Sequence, residues 1–162
     1  MTGKLSIVAT PIGNLGDLTF RALWNFKECD AMYAEDTRVT LKLLNHYGLR
    51  KPVFRLDAAT EDKKAREVIE RLEKGEHIVY VTDAGTPGIS DPGARLVAIV
   101  REELFEVTIE AIPGPSAITA ALSIAGVSAD RFTFLGFLPH KKGRQTALKN
   151  ISSSDSVNFL PL

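Results

Sequence analysis

Short apolar runs alternate with amphipathic stretches along this chain, the pattern of strands and crossover helices in a parallel α/β sheet. Leu5 to Ala9 reads as the first strand, stopped by Thr10-Pro11. Thr19 predicts the cap of a helix whose Ala22, Leu23 and Phe26 share one face. Ala31 to Ala34 is a second strand that runs into Glu35-Asp36-Thr37-Arg38. The short helix after it places Leu41, Leu44 and Tyr47 at helical spacing, with Gly48 as its stop. Val53 to Leu56 is a brief third strand. Thr60 opens the clearest helix, with Ala65, Val68, Ile69 and Leu72 as its buried stripe and Gly75 as its end.

His77 to Thr82 is a strand of β-branched character, and Asp91-Pro92 predicts a cap and first-turn proline for a helix burying Leu96, Ile99 and Val100. Val107 to Ile112 is the next strand, and Ala117 to Ala125 a helix of small residues. Phe132 to Leu138 predicts another strand and Lys141 to Ile151 another helix, with Ala147, Leu148 and Ile151 inward. After the serine-rich break at 152–156, Val157 to Leu160 is barely long enough to be a strand.

Composition narrows the class without naming a partner. The 162 residues are 44% hydrophobic and 25% charged, enough apolar material for a core without staples. Twenty basic and twenty acidic residues cancel, so no overall field advertises a nucleic acid or a membrane. Cys29 is the only cysteine, which excludes an internal disulfide and a thiolate metal cluster. The absence of a long apolar run at the N-terminus predicts neither signal peptide nor membrane span, and hence a cytosolic protein.

Candidate chemistry gathers at the ends of the strands, where open α/β sheets bind ligands. Asp83-Ala-Gly-Thr-Pro-Gly-Ile-Ser-Asp-Pro-Gly93 is long for a strand-to-helix loop, and glycines and prolines let its backbone approach a ligand along a fixed path. Pro113-Gly-Pro-Ser-Ala117 repeats the logic at the next helix N-terminus, where amides face an incoming polar group. If their strands are neighbours, these two loops outline one crevice. Thr10-Pro-Ile-Gly-Asn-Leu-Gly16 has only Gly13 and Gly16 where a dinucleotide loop needs an earlier glycine. Glu35 nevertheless sits about where a ribose-binding acid would, which keeps a nicotinamide-type reading open.

Glu35, Asp36 and Asp83 are the candidate proton acceptors, though acids at a helix start also suit the dipole. Arg38 is placed to grip a phosphate, and Arg144 belongs to a small basic cluster with Lys141 and Lys142. His46, His77 and His140 lack metal-ligand spacing. Neither a nucleophile elbow nor a P-loop occurs.

Five segments in order carry a resemblance: Val8-Ala-Thr-Pro-Ile-Gly-Asn-Leu15, Glu35-Asp-Thr-Arg38, the Asp83 to Gly93 loop, Pro113-Gly-Pro-Ser-Ala117 and Phe134-Leu-Gly-Phe-Leu-Pro139. Together they resemble the tetrapyrrole methylase superfamily, and within it the branch that methylates small-subunit ribosomal RNA. The resemblance implies an N-terminal α/β domain over residues 1–113 and a second α/β domain beginning at residue 114. It implies S-adenosylmethionine as cofactor, a cytidine ribose 2′-hydroxyl in ribosomal RNA as acceptor, and a homodimer. It assigns Gly85, Thr86 and Pro87 to one cofactor loop, Ser116 and Ala117 to a second, and Pro11 and Ile12 to the first-strand turn.

Such proteins run longer, and residues 152–162 lack the family's strand and glutamate-serine-proline turn. The expectation is therefore a C-terminally shortened second domain. A tetrapyrrole-directed methyltransferase, a dinucleotide oxidoreductase and a non-catalytic cofactor-binding or dimerising remnant are the alternatives.

Overall fold

A computed structural model describes residues 3–139, 143–152 and 157–159, and it divides the chain into two units, Met1–Ser116 and Ala117–Leu162. The first unit holds a five-stranded sheet. Its strands are β1 (Lys4–Val8), β2 (Ala31–Ala34), β3 (Val53–Arg55), β4 (His77–Val81) and β5 (Thr108–Ile112), in the spatial order β3-β2-β4-β1-β5. Every pairing is parallel, so all the strands end on one edge of the sheet.

Four helices cover the sheet: α1 (Phe20–Glu28), α2 (Thr37–His46), α3 (Glu61–Glu73) and α4 (Ala94–Glu103). Strand alternation sorts the core into two layers. On β4, Ile78 and Tyr80 face a cluster with Val68 and Leu72 of α3 and Leu96 and Val100 of α4. Val79 and Val81 face the opposite cluster, with Ala22 and Phe26 of α1 and Leu43 and Leu44 of α2. Both faces are covered, which is why the central strands read as unbroken apolar runs.

The predicted stripe of α3 is buried as read, as are Leu96, Ile99 and Val100 of α4. Helix α2 departs from its reading. Thr40, Leu43 and Leu44 are its buried residues, and Leu41 points to solvent. The hydroxyl of Thr40, which donates to the Asp36 carbonyl, makes a polar residue serviceable in the core position the pattern gave to Leu41. Cys29 is buried, and desolvation pushes its thiol up to about 11, so it is a packing residue.

The second unit contains α5 (Ala117–Ile124), β6 (Phe132–Phe134), α6 (Arg144–Ser152) and β7 (Val157–Phe159). β6 and β7 pair in parallel, and Phe134 and Phe159 meet across them. None of its described residues reaches full burial, and α5 is apolar yet uncovered. Lys141, Lys142, His140 and most of the serine-rich break lie outside the described residues.

Candidate active site

The loops after β1 and β4 are joined by main-chain hydrogen bonds. Thr10 N–H donates to Gly85 O at 2.9 Å, and Gly85 N–H donates back to Thr10 O at 3.0 Å. The Thr10 hydroxyl adds a third link to the Thr82 carbonyl at 3.1 Å. Gly85 takes φ +81°, a left-handed conformation open to glycine, which turns the loop back across the end of β1. Pro11 and Pro87 are buried beside this junction, whereas Thr86 is exposed.

The sequence pictured the loops after β4 and β5 on neighbouring strands. Instead β1 lies between those strands. The loops still meet, because the Asp83 to Gly93 loop reaches over the end of β1. Thr86 Oγ1 donates to the Pro115 carbonyl at 3.4 Å, and a Cβ at Gly85 would lie 3.6 Å from the Ile12 side chain and 3.9 Å from the Pro115 carbonyl oxygen. Gly114 also sits close to β1, since a Cβ there would approach Ala9 Cβ to 3.0 Å. Pro11, Ile12, Gly85, Thr86 and Pro115 thus form one continuous surface within the first unit. Ser116 is the last residue of that unit, and Ala117 opens the next.

The far end of the long loop corrects the expected Asp91-Pro92 cap. Helix α4 starts at Ala94, with Gly93 at the cap position and no side-chain cap of its own. Glu61, at the first turn of α3, supplies the cap from across the fold. Its Oε1 accepts from Gly93 N–H and from Leu96 N–H, both at 2.9 Å and both buried. Gly93 has φ +120°, and a Cβ there would lie 2.5 Å from Tyr80 Cε1. The cap position is therefore Gly93 and not Asp91, and it stays bare backbone because a Cβ there would strike the Tyr80 ring.

Asp91 instead joins the acids at the strand edge. Burial, then the neighbouring Asp83 and Asp91 charges, raise the Glu35 carboxyl above its ordinary range. Burial followed by the Asp83 charge raises Asp91 likewise, against a smaller opposing pull from the Thr82 hydroxyl nearby. The Tyr80 hydroxyl is buried with no hydrogen-bond partner among the described residues, and desolvation and the surrounding Glu61 and Glu35 charges hold it well above its usual range.

Asp36 behaves oppositely. Its carboxylate takes two guanidinium contacts from Arg38, Nε at 3.0 Å and Nη2 at 2.5 Å, and caps α2 through Arg38 N–H at 2.9 Å. These bonds draw its pKa down to about 2. Its own amide donates to Asp83 Oδ1 at 3.1 Å. Glu35, Asp36 and Asp83 are therefore brought together, with Asp36 already committed as a cap and ion pair. The Arg38 side chain is 84% exposed at the rim, and Arg144 is exposed on α6 of the second unit.

Sequence reasoning misses three participants. Thr10 reads as the residue that breaks a glycine motif, and its pairing with Gly85 has no sequence signal. Glu61 looks like an acid placed against a helix dipole. Asp91 looks like a cap because Asp-Pro before an apolar run usually is one. Among the described residues no group of three metal-ligating side chains occurs. His46 stacks edge-on against Tyr47, and His77 shares a 2.9 Å hydrogen bond with Ser6. No helix among the described residues is long and apolar enough to cross a membrane.

A family model described as Tetrapyrrole (Corrin/Porphyrin) Methylases matches residues 4–160. The Ribosomal RNA small subunit methyltransferase I of Haemophilus influenzae is 49% identical over 156 residues, covering 96% of this chain and 54% of that protein. The one of Thermotoga maritima is 44% identical over 155 residues, covering 96% and 69%. The chain spans about half the length of the first and about two thirds of the second. Among solved structures, diphthine synthase aligns with a TM-score of 0.67 at 19% identity, over 98% of this chain and 64% of that one. A cobalamin-biosynthesis precorrin-6Y methylase from Archaeoglobus fulgidus aligns at 0.57 and 21% identity, over 83% and 64%. These two likenesses establish the fold.

Proposed function

Since this chain belongs to the tetrapyrrole (corrin/porphyrin) methylase family, we propose that it binds S-adenosylmethionine at the joined loops and serves methyl transfer to a cytidine ribose 2′-hydroxyl of small-subunit ribosomal RNA. The observation that carries the reading is the paired Thr10–Gly85 backbone, which holds Pro11, Ile12, Gly85, Thr86 and Pro87 in one surface. The naming of the curated relatives, at 44–52% identity, favours RNA over a tetrapyrrole as acceptor. It equally disfavours the oxidoreductase alternative.

The cofactor supplies an electrophilic methyl on a sulfonium. The protein's share is position and proton acceptance. Gly85, bare and left-handed, lets a ligand approach the backbone, while Pro11 and Pro87 fix the path on either side. Ser116 and Ala117 complete the cofactor set from the turn after β5. Of the three acids expected from sequence, Glu35 and Asp83 are the proton acceptors in this reading, joined by Asp91. Glu35 and Asp91, held above the ordinary carboxylate range by burial and the neighbouring acids, are stronger bases than Asp36, drawn down to about 2 by Arg38, so Asp36 serves instead to position Arg38. Arg38 and Arg144 contact phosphate, and the active assembly is a homodimer of two-domain chains divided near residues 113–116.

Calorimetric titration tests the cofactor assignment. S-adenosylhomocysteine gives a saturable heat that Gly85→Val abolishes, and NAD gives none. Methylation of small ribosomal subunits lacking the modification tests the acceptor. Binding of NAD in preference to S-adenosylhomocysteine would sink the reading.

A further inference from the structure

Helices α3 and α4 each end just before a strand begins, so their last turns lie at the edge of the sheet opposite the candidate site. There, within the first unit, a hollow of about 570 Å³ opens between these helix ends and the bend into β5. Leu72, Leu104, Phe105 and Val107 give it an apolar lining, and Glu73, Glu103 and Glu106 an acidic one. We propose that it docks a basic, arginine-bearing segment of a partner protein. The inference stands apart from the cofactor and RNA readings above.

The apolar part supplies the seat. Leu72 belongs to the core, and Leu104 and Val107 pack partly buried against it. Phe105 beside them is 90% exposed. The bend is closed by Val107 N–H, which donates to Leu104 O at 3.3 Å, so Phe105 and Glu106 form its tip. Turn tips ordinarily carry glycine, proline, asparagine or aspartate, and a phenylalanine held in water there does nothing for the fold. A lone exposed aromatic is common on protein surfaces, but one that walls an apolar hollow offers an anchor to a partner.

Charge then selects the occupant. Glu73 is the last residue of α3, and Glu102 and Glu103 are the last two of α4, at helix ends where the dipole disfavours acids. Arg101 offsets part of this on α4, whereas Arg71 on α3 is engaged by Glu76 at 2.6 Å. Arg66 reaches Glu103 at 3.2 Å, and Glu73 and Glu106 make no ion pair among the described residues. No lysine or arginine lines the hollow, so it is locally acidic on a chain of zero formal charge. Such a field repels RNA phosphates and anionic lipids. Among the described residues no three metal-ligating side chains gather, which leaves a metal ion without a cage here. An arginine fits both halves of the lining. Its stem lies along the apolar floor, and its planar head stacks on the Phe105 ring and forks onto the Glu73 or Glu106 carboxylate.

The test is a titration of the full chain with a short peptide that alternates arginine and leucine, and with its glutamate-for-arginine counterpart, followed by backbone amide shifts. The arginine peptide binds saturably, shifts Glu73, Phe105 and Val107, and loses about fivefold in affinity between about 50 and 200 mM salt. The glutamate peptide does not bind. Phe105→Ala weakens binding about tenfold, and Glu73→Gln combined with Glu106→Gln weakens it as much and removes most of the salt dependence. All these side chains are exposed, so the thermal midpoint of each variant stays near that of the parent. No binding, equal binding of the two peptides, shifts elsewhere, or variants without effect overturn the proposal. A chain found dimeric by sedimentation that Phe105→Ala renders monomeric would give the hollow to a second copy and overturn it too.

Discussion

Replacing Glu61 by alanine removes the acceptor that starts α4 and ends the long loop. Two buried amides, those of Gly93 and Leu96, lose a carboxylate at 2.9 Å each. Hydrogen bonds to charged groups contribute about 1.5–3 kcal/mol apiece, and the loss of a helix cap costs about 0.5–2 kcal/mol. These overlap, because both amides share one oxygen and the truncated side chain admits some water. A combined loss of about 3 kcal/mol is the working figure. For a unit of this size that corresponds to a fall in Tm of roughly 10 °C. Glu61→Gln keeps an acceptor in the same place and loses only the charge assistance, about 1 kcal/mol. Urea denaturation of the three proteins gives the energies, and hydrogen exchange at Gly93 and Leu96 localises them. Exchange at both amides rises in the alanine variant and stays near the parent value in the glutamine variant. An alanine variant within about 0.5 kcal/mol of the parent would refute the cap, since it would mean that the bonds contribute nothing net.

Other expectations follow from the same region. Gly93→Ala places a methyl 2.5 Å from the buried Tyr80 ring at φ +120°, and overpacking with strained backbone predicts a loss of about 3 kcal/mol or more, read by thermal denaturation. Tyr80→Phe deletes a buried hydroxyl that has no partner among the described residues, so it raises stability by about 1 kcal/mol at neutral pH; a loss of that size would show a partner to exist. The folded-state pKa of Glu35 lies above that of the unfolded chain, so the folded protein holds the extra proton between the two values and stability falls as pH rises through that window. Glu35→Gln therefore flattens the stability profile above about pH 4 and is the more stable protein at neutral pH, checked by denaturation across pH.

Most of the framework was legible because period and burial agree. The α3 stripe of Ala65, Val68, Ile69 and Leu72 repeats at helical spacing on the face that meets the sheet, and β4 is apolar on both faces because helices cover both. The candidate site was legible only as an address, a glycine-rich loop at a strand end. Its joinery was not. The Thr10–Gly85 pair is main-chain to main-chain, and backbone atoms are common to every residue type. Glu61 reaches a helix that begins more than thirty residues later, a distance no local pattern records. The strand order was equally hidden, because apolar runs do not say which neighbour they choose. The uncovered α5 shows the reverse case, an apolar pattern with no buried residue.

The interior position of β1, between β4 and β5, has a consequence for how the chain comes to be folded. Lys4 finds its two partners at His77 and Thr108, so β1 is made well before either of its neighbours and is enclosed only after both have followed. Until β4 emerges, β1 has neither edge paired, and only with β5 are both satisfied. Long-range parallel pairing of this kind is slow to form and leaves strand edges open to other chains in the interval. During synthesis, the strand that later anchors the Asp83 to Gly93 loop is therefore the part most in need of protection from aggregation.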